Sequence, residues 1–279
     1  MTHWDRQYRL TAGQAGAAGF EIGAGGKPLH ISFSVERADT ESANTAKITL
    51  WNLSPEHLAE LHKDDCVITL RAGYGTVMPT IFSGVVTYAK TQKDGSDVKT
   101  EIELVDTRVE LRDSYVSVCY SGNIDCKTVL QDTADQMGLT ASFSHNAAFA
   151  SLPNGFSFVG ASADILTKLC ETCGLIWDIQ NGVLQIKKPG DTMNREVYEL
   201  SAETGLIGIP QRVQTSKSFS RYEYGWDVEY LMNAAISIDD YVYLNSQSVK
   251  GYFRVYSVTI EGDNCEGSWS CTARLLGGA

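Results

Sequence analysis

Cys170 and Cys173 form a Cys-x-x-Cys pair, the spacing used by redox thiols and by half of a zinc site. A zinc site built this way needs a second short-range pair of ligands. No second Cys-x-x-Cys, Cys-x-x-His or His-x-x-x-His run supplies it, and the five histidines (His3, His30, His57, His62, His145) are scattered. Both cysteines also fall on an apolar stripe with Ile165, Leu166 and Leu169, so packing explains them as core thiols. Cys265 and Cys271 flank a turn and would pair only in an oxidising space. Gly23-Ala24-Gly25-Gly26 lacks the Lys-Ser/Thr of a phosphate-binding loop and reads as a hairpin tip. His57 and His62 are out of His-Glu-x-x-His register and read as surface residues. Asp263-Asn264-Cys265-Glu266-Gly267 has oxygen ligands but not the length of a calcium loop, and reads as a solvated turn. Asp227 and Glu229 alternate with Val228 and Tyr230, as on the wet face of a strand, and Asp239-Asp240 is a chance pair. No nucleophile elbow or paired-carboxylate cleft stands out. The expectation is a protein with no catalytic residue, no cofactor and no metal.

The whole chain fits that expectation. Its 279 residues suit two domains or one large one, and a chain of that size buries roughly 70–75% of its unfolded surface. The composition is 43% hydrophobic and 20% charged, which is ordinary for a globular protein. Twenty-three Lys and Arg stand against 34 Asp and Glu, a net charge of −11. That balance disfavours wrapping DNA or an anionic membrane, yet suits a channel wall that DNA must pass without sticking. No run of 18 apolar residues is present, and Met1–Leu10 has no apolar signal region, so neither a membrane span nor a secretory leader is expected. Seven cysteines without regular spacing imply free thiols and synthesis in a reducing cytoplasm.

The dominant period is two. Leu29, Ile31, Phe33 and Val35 alternate with polar neighbours, the pattern of a strand with one buried face. Strands are likewise expected at 46–51, 66–72, 80–91, 98–105, 222–231, 241–244, 252–261 and 268–276, with turns at 72–75, 93–96 and 261–264. Three helices interrupt them. The first opens with Ser54 as N-cap and Pro55 behind it. The second runs from Asp125 to Met137 and stops at Gly138; the third runs from Ser162 to Cys173 and stops at Gly174. Asn181-Gly182 joins two alternating runs as a type I′ hairpin turn. The fold class is therefore mainly β, α+β overall. A first β module spans 1–114, an α+β insert 115–190 and a second β module 191–279, with a weak echo between the two flanks. Many of the 13 Tyr and 5 Trp lie in strands, as in interface-rich assembly components.

Certain residues carry a family resemblance. Trp51-Asn52-Leu53-Ser54 ends a strand and leads into a helix; Gly73-Tyr74 follows the next strand, and Phe82-Ser83-Gly84 lies in the one after. Asn181-Gly182 falls in the insert, and Gly251-Tyr252-Phe253-Arg254 and Trp269 fall in the last segment. In that order these motifs resemble the baseplate or tail-tip hub proteins of tailed bacteriophages, with Thr107 standing where the family usually has glycine. The resemblance implies two tail-tube-type β-barrels flanking the insert. It also implies a homotrimer that joins a sixfold tail tube to a threefold spike or fibre and forms part of the DNA channel. The partners it implies are the tail tube or a tube initiator, the central spike or fibre, other baseplate proteins and transient, non-specific phage DNA. The place it implies is the virion tail. The alternatives are a tail-tube or peripheral baseplate subunit on the same fold, or a tail-associated cell-wall hydrolase, for which the chain has no spare domain.

Overall fold

The computed structural model describes residues 5–14, 18–24, 26–38, 44–106, 114–180, 183–193, 197–217 and 221–277. Period-two alternation turns into strands along most of the chain. The first stretch holds β1 (Arg6–Gly13), β2 (Phe20–Gly23), β3 (Ile31–Ala38), β4 (Thr45–Trp51), α1 (Pro55–Leu61), β5 (Val67–Tyr74), β6 (Thr80–Asp94) and β7 (Asp97–Asp106). The middle holds β8 (Tyr115–Tyr120), β9 (Ile124–Asp125), α2 (Cys126–Gln136), β10 (Thr140–Phe143), β11 (Ser151–Leu152) and β12 (Phe156–Ala161). It continues with α3 (Ser162–Cys173), β13 (Ile176–Gln180) and β14 (Val183–Lys187). The last stretch holds β15 (Tyr198–Ser201), β16 (Leu206–Lys217), β17 (Arg221–Leu231), β18 (Tyr241–Asn245), β19 (Lys250–Asp263) and β20 (Trp269–Leu276). The protein is mainly β.

The chain divides into two compact units. Met1–Asp106 and Glu196–Ala279 make the first, and Thr107–Arg195 the second. In the first unit one sheet runs in the order β16-β17-β20-β19-β3-β4-β7-β6-β5-β1-β2, with β18 paired to β19 and β15 paired to β18. The two flanks of the sequence meet at the antiparallel β3–β19 pairing, from Ala38 opposite Ser257 to Ser32 opposite Asp263. Inward positions of both flanks share one core: Leu10, Ile48, Leu70 and Ile102 from one, Tyr230, Leu244, Ile260 and Leu275 from the other. Each such aliphatic side chain, withdrawn from water, contributes about 1.5–3 kcal/mol.

In the second unit, α2 and α3 share a core with Val116, Val118, Leu184 and Ile186. The Asp125 carboxylate caps α2 by accepting the Lys127 N–H at 2.8 Å. Gly174 ends α3 in the left-handed conformation (φ 65°), which lets its N–H and the next reach back to the last carbonyls. β10 runs parallel to β14, and β13 antiparallel to it. Gln180 pairs with Val183, and Asn181 and Gly182 between them lie outside the described residues.

Several expectations need correction. Gly23 and Ala24 do not open a hairpin: β2 pairs back to β1 rather than forward to β3, the Ala24 N–H donates to the Tyr8 carbonyl at 2.7 Å, and Gly25 lies outside the described residues. β5 runs on through Gly73 to Tyr74 because β1 continues the ladder there, with Gln7 opposite Gly73. β19 runs to Asp263 because β3 does the same, with Ser32 opposite Asp263.

Gly84 sits where β6 meets β7, and a Cβ there would overlap the Val105 carbonyl oxygen and the Phe82 ring. Gly84→Val should therefore destabilise the protein by about 1–3 kcal/mol, the usual cost of overpacking a tight site. Urea melts of the variant and the parent check this; coincident curves would refute the close approach.

Candidate assembly surface

Apart from Asn181 and Gly182, which lie outside the described residues, the residues singled out by sequence belong to the first unit. Trp51 ends β4; its ring stacks on His30 with centroids 3.8 Å apart, and its Nε1–H donates to Asp94 at 3.4 Å. Asn52 takes the left-handed conformation (φ 60°), which Asn tolerates better than most residues. Its Oδ1 accepts the Val98 N–H at 3.0 Å, and its Nδ2 donates to Asp97 at 3.0 Å. The strand end is thus tied to the base of the β6–β7 turn. Leu53 is buried, and Ser54 Oγ accepts the His57 N–H to cap α1. The four-residue motif is a strand terminus, a reversal, a core anchor and a helix cap in succession.

Gly73 lies against the Val77 carbonyl, with no room for a side chain. Tyr74 donates its hydroxyl to the Trp269 carbonyl at 3.5 Å, a contact between the two flanks of the sequence. Trp269 is buried, edge-on to Phe33 at 5.5 Å and with the Arg6 guanidinium 5.8 Å from its ring. Phe82 is buried beside Gly84. Gly251 pairs with Leu244, exposed Tyr252 packs against Tyr243 at 4.9 Å, and Arg254 forms an ion pair with Asp239. The structure brings Tyr74 and Trp269 together and sets Trp51 and Asn52 on the β6–β7 hairpin.

Sequence reasoning missed the sheet edge at β16. Among the described residues it pairs with β17 alone, and Ile209 on it is 77% exposed, with Ile207 less so. On β17 the exposed Tyr224 ring carries the Arg212 guanidinium 4.5 Å from its centroid. A long edge with exposed isoleucines is a liability in a lone chain and an asset in an assembly. The available signal was Pro210, because proline within a strand belongs at an edge or a bulge. The register of β16 against β17 does shift between Ile207 and Gln211.

The titratable groups serve structure. Asp227 holds Arg274 through two bonds of 2.8 Å, and Glu229 accepts the Ser270 hydroxyl at 3.0 Å. Burial, then the Asp132 carboxylate that accepts its hydroxyl, raise Tyr120 to about 12. Burial, reinforced by the neighbouring Cys173 sulfur, pushes the Cys126 and Cys170 thiols up to about 12. Cys170 of the Cys-x-x-Cys pair is therefore a buried core thiol, while Cys173 is only partly buried and accepts the Ala150 N–H at 3.4 Å. Cys271 is buried in the sheet, Cys265 is exposed in its turn, and both are free.

The profile of the family described as baseplate hub gp41 matches residues 18–261. This chain belongs to that family. The hub is a structural component of a phage tail, not an enzyme. Its fold is similar to that of solved tail proteins at low identity. The prophage MuSo2 43 kDa tail protein from Shewanella oneidensis aligns with a TM-score of 0.62 at 10% identity, over 97% of this chain and 96% of that one. A tail protein from Neisseria meningitidis MC58 aligns with a TM-score of 0.59 at 9% identity, over 97% and 96%. The E. coli c3393 protein, a type VI secretion component with structural similarity to the T4 tail proteins gp27 and gp5, aligns with a TM-score of 0.56 at 10% identity, over 90% and 74%. No curated protein matches the sequence. Among the described residues of the hub, no helix is long and apolar enough to cross a membrane.

In chelator-treated buffer, a small thiol reagent should modify Cys119 and Cys265 of the native hub rapidly, because only these two cysteines are exposed. Cys66, Cys126, Cys170 and Cys271 should react only on unfolding. Peptide mass mapping reads the outcome, and rapid native labelling of Cys170 would contradict the core-thiol assignment.

Proposed function

We propose that this hub assembles as a homotrimer and serves as the adaptor between a sixfold tail tube and a threefold spike or fibre, forming part of the DNA channel. The observation that carries this reading is the joining of two flanking sets of strands in one sheet, separated in sequence by the second unit. In this reading, residues 1–114 and 191–279 each supply a tube-type β-barrel module. Three chains then present six modules to the tube while keeping threefold symmetry toward the spike. The segment 115–190 is the insert and faces the spike or the periphery.

Two features support the reading. The open β16 edge, with exposed Ile207 and Ile209, suits pairing with a second copy of the chain. The net charge of −11 per chain makes a trimer strongly acidic, so that a channel wall repels phosphate rather than binding it. Salt confines that repulsion to about 8 Å, which still spans the surface layer of a channel. The partners in this reading are the tube or its initiator, the spike or fibre and neighbouring baseplate proteins, with DNA in transit and the virion tail as the site of action.

Native mass spectrometry of the purified chain, alone and mixed with its neighbouring tail proteins, tests the proposal. The expected species is a trimer, three times the 30.5 kDa chain, either alone or once the spike protein is added. A sixfold ring or filament would make the chain a tube subunit instead, and a monomer with every partner would refute the adaptor.

A further inference from the structure

His30, just before β3, faces the turn between β19 and β20 that carries Asp263 and Cys265. The His30 Nε2 lies 3.2 and 3.3 Å from the two Asp263 carboxylate oxygens. The Cys265 sulfur completes a group whose ligand atoms all lie within 4.8 Å of one another. We propose that His30, Asp263 and Cys265 form a zinc site in the first unit, with water in the fourth position.

The donor set is the first argument. One imidazole nitrogen, one carboxylate oxygen and one thiolate sulfur suit zinc, which is borderline-soft; calcium and magnesium take oxygen only. Distance is the second. Nitrogen and oxygen ligands about 2.0–2.2 Å from a tetrahedral zinc stand about 3.3–3.4 Å apart. The His30–Asp263 separation of 3.2–3.3 Å is close to this, so the pair that hydrogen-bonds without the ion already stands at ligand spacing. Cys265 is exposed, with its sulfur 3.7 Å from Asn264 Oδ1, and rotation of this side chain is the movement that metal binding requires.

Preorganisation is the third argument. Asp263 Oδ1 accepts the N–H groups of Cys265 (2.8 Å) and Glu266 (2.9 Å), which fixes the carboxylate. The His30 ring is held flat against Trp51. Asn264 fastens the turn to the segment that carries His30: its Oδ1 accepts the Ile31 N–H at 2.9 Å, and its Nδ2 donates to the Leu29 carbonyl at 2.9 Å. Arg6 donates to the carbonyls of Asp263 and Gly267 at 2.8 and 3.1 Å, which braces the turn from β1. The ligands therefore stand on a braced frame, which a tight metal site requires. The side chains of His30 and Asp263 are 34% and 18% exposed, which leaves a path for the ion. Bound zinc would add a cross-link beside the β3–β19 pairing. Local sequence spacing does not reveal the site, because His30 and Asp263 are 233 residues apart.

Zinc chloride titrated into the reduced full-length chain, in competition with a chromophoric chelator, tests the site. One zinc per chain is expected. Cys265→Ser and His30→Gln should each weaken binding by at least about tenfold, with unchanged far-UV circular dichroism. Cys265 is exposed, so its variant should fold even if the His30 variant does not. Zinc should also slow alkylation of Cys265 while leaving Cys119 untouched. No zinc bound, binding that survives Cys265→Ser, or equal alkylation of Cys265 with and without zinc would overturn the proposal and leave a plain ion pair beside a surface thiol.

Discussion

Seven consecutive residue pairs between β3 and β19 hold the first unit together. Everything N-terminal to the second unit lies on one side of this seam in the sheet, and everything C-terminal to it on the other. Without the seam the chain would have two half-sheets, each exposing a long edge and an incomplete core. Closing so long a loop costs entropy, but that cost grows only logarithmically with length. Buried partners on both strands offset it: Phe33 and Val35 on β3, Val258 and Ile260 on β19. The contacts around the seam reinforce it. Tyr74 reaches the Trp269 carbonyl, Asn264 grips the segment before β3, and Arg6 grips the same turn from β1.

The second unit follows different rules from the sheet that brackets it. Its core is built on two helices with side-chain or glycine caps and short strands in three separate small sheets. Inserting such a unit between β7 and β15 leaves the ladder of the first unit uninterrupted, since none of its strands joins that sheet.

Much of this was legible in the sequence, for reasons that lie in particular residues. The alternation of Ile31, Phe33 and Val35 marked β3, the Ser54-Pro55 pair marked the start of α1, and Gly174 marked the end of α3. β1 escaped notice because Arg6, Gln7 and Arg9 mask the inward Tyr8, Leu10 and Ala12. β16 escaped because Gly208 and Pro210 break its pattern, as an edge strand permits. The family motifs were visible as strings, but their meaning was not. Asn52 is a left-handed reversal that docks on a hairpin, and Trp269 is a buried ring whose carbonyl receives Tyr74. Pairings across the whole chain, such as His30 with Asp263, leave no local trace.

The central claim is that the β3–β19 seam makes the two flanks a single cooperative structure. Native-state hydrogen exchange resolved to individual amides tests this most directly. The account predicts that amides of β3, β19 and β4 exchange only through one common global opening, with the same free energy and the same denaturant dependence. Exchange of β19 and β20 through a separate, cheaper opening that leaves β3 and β4 protected would contradict it.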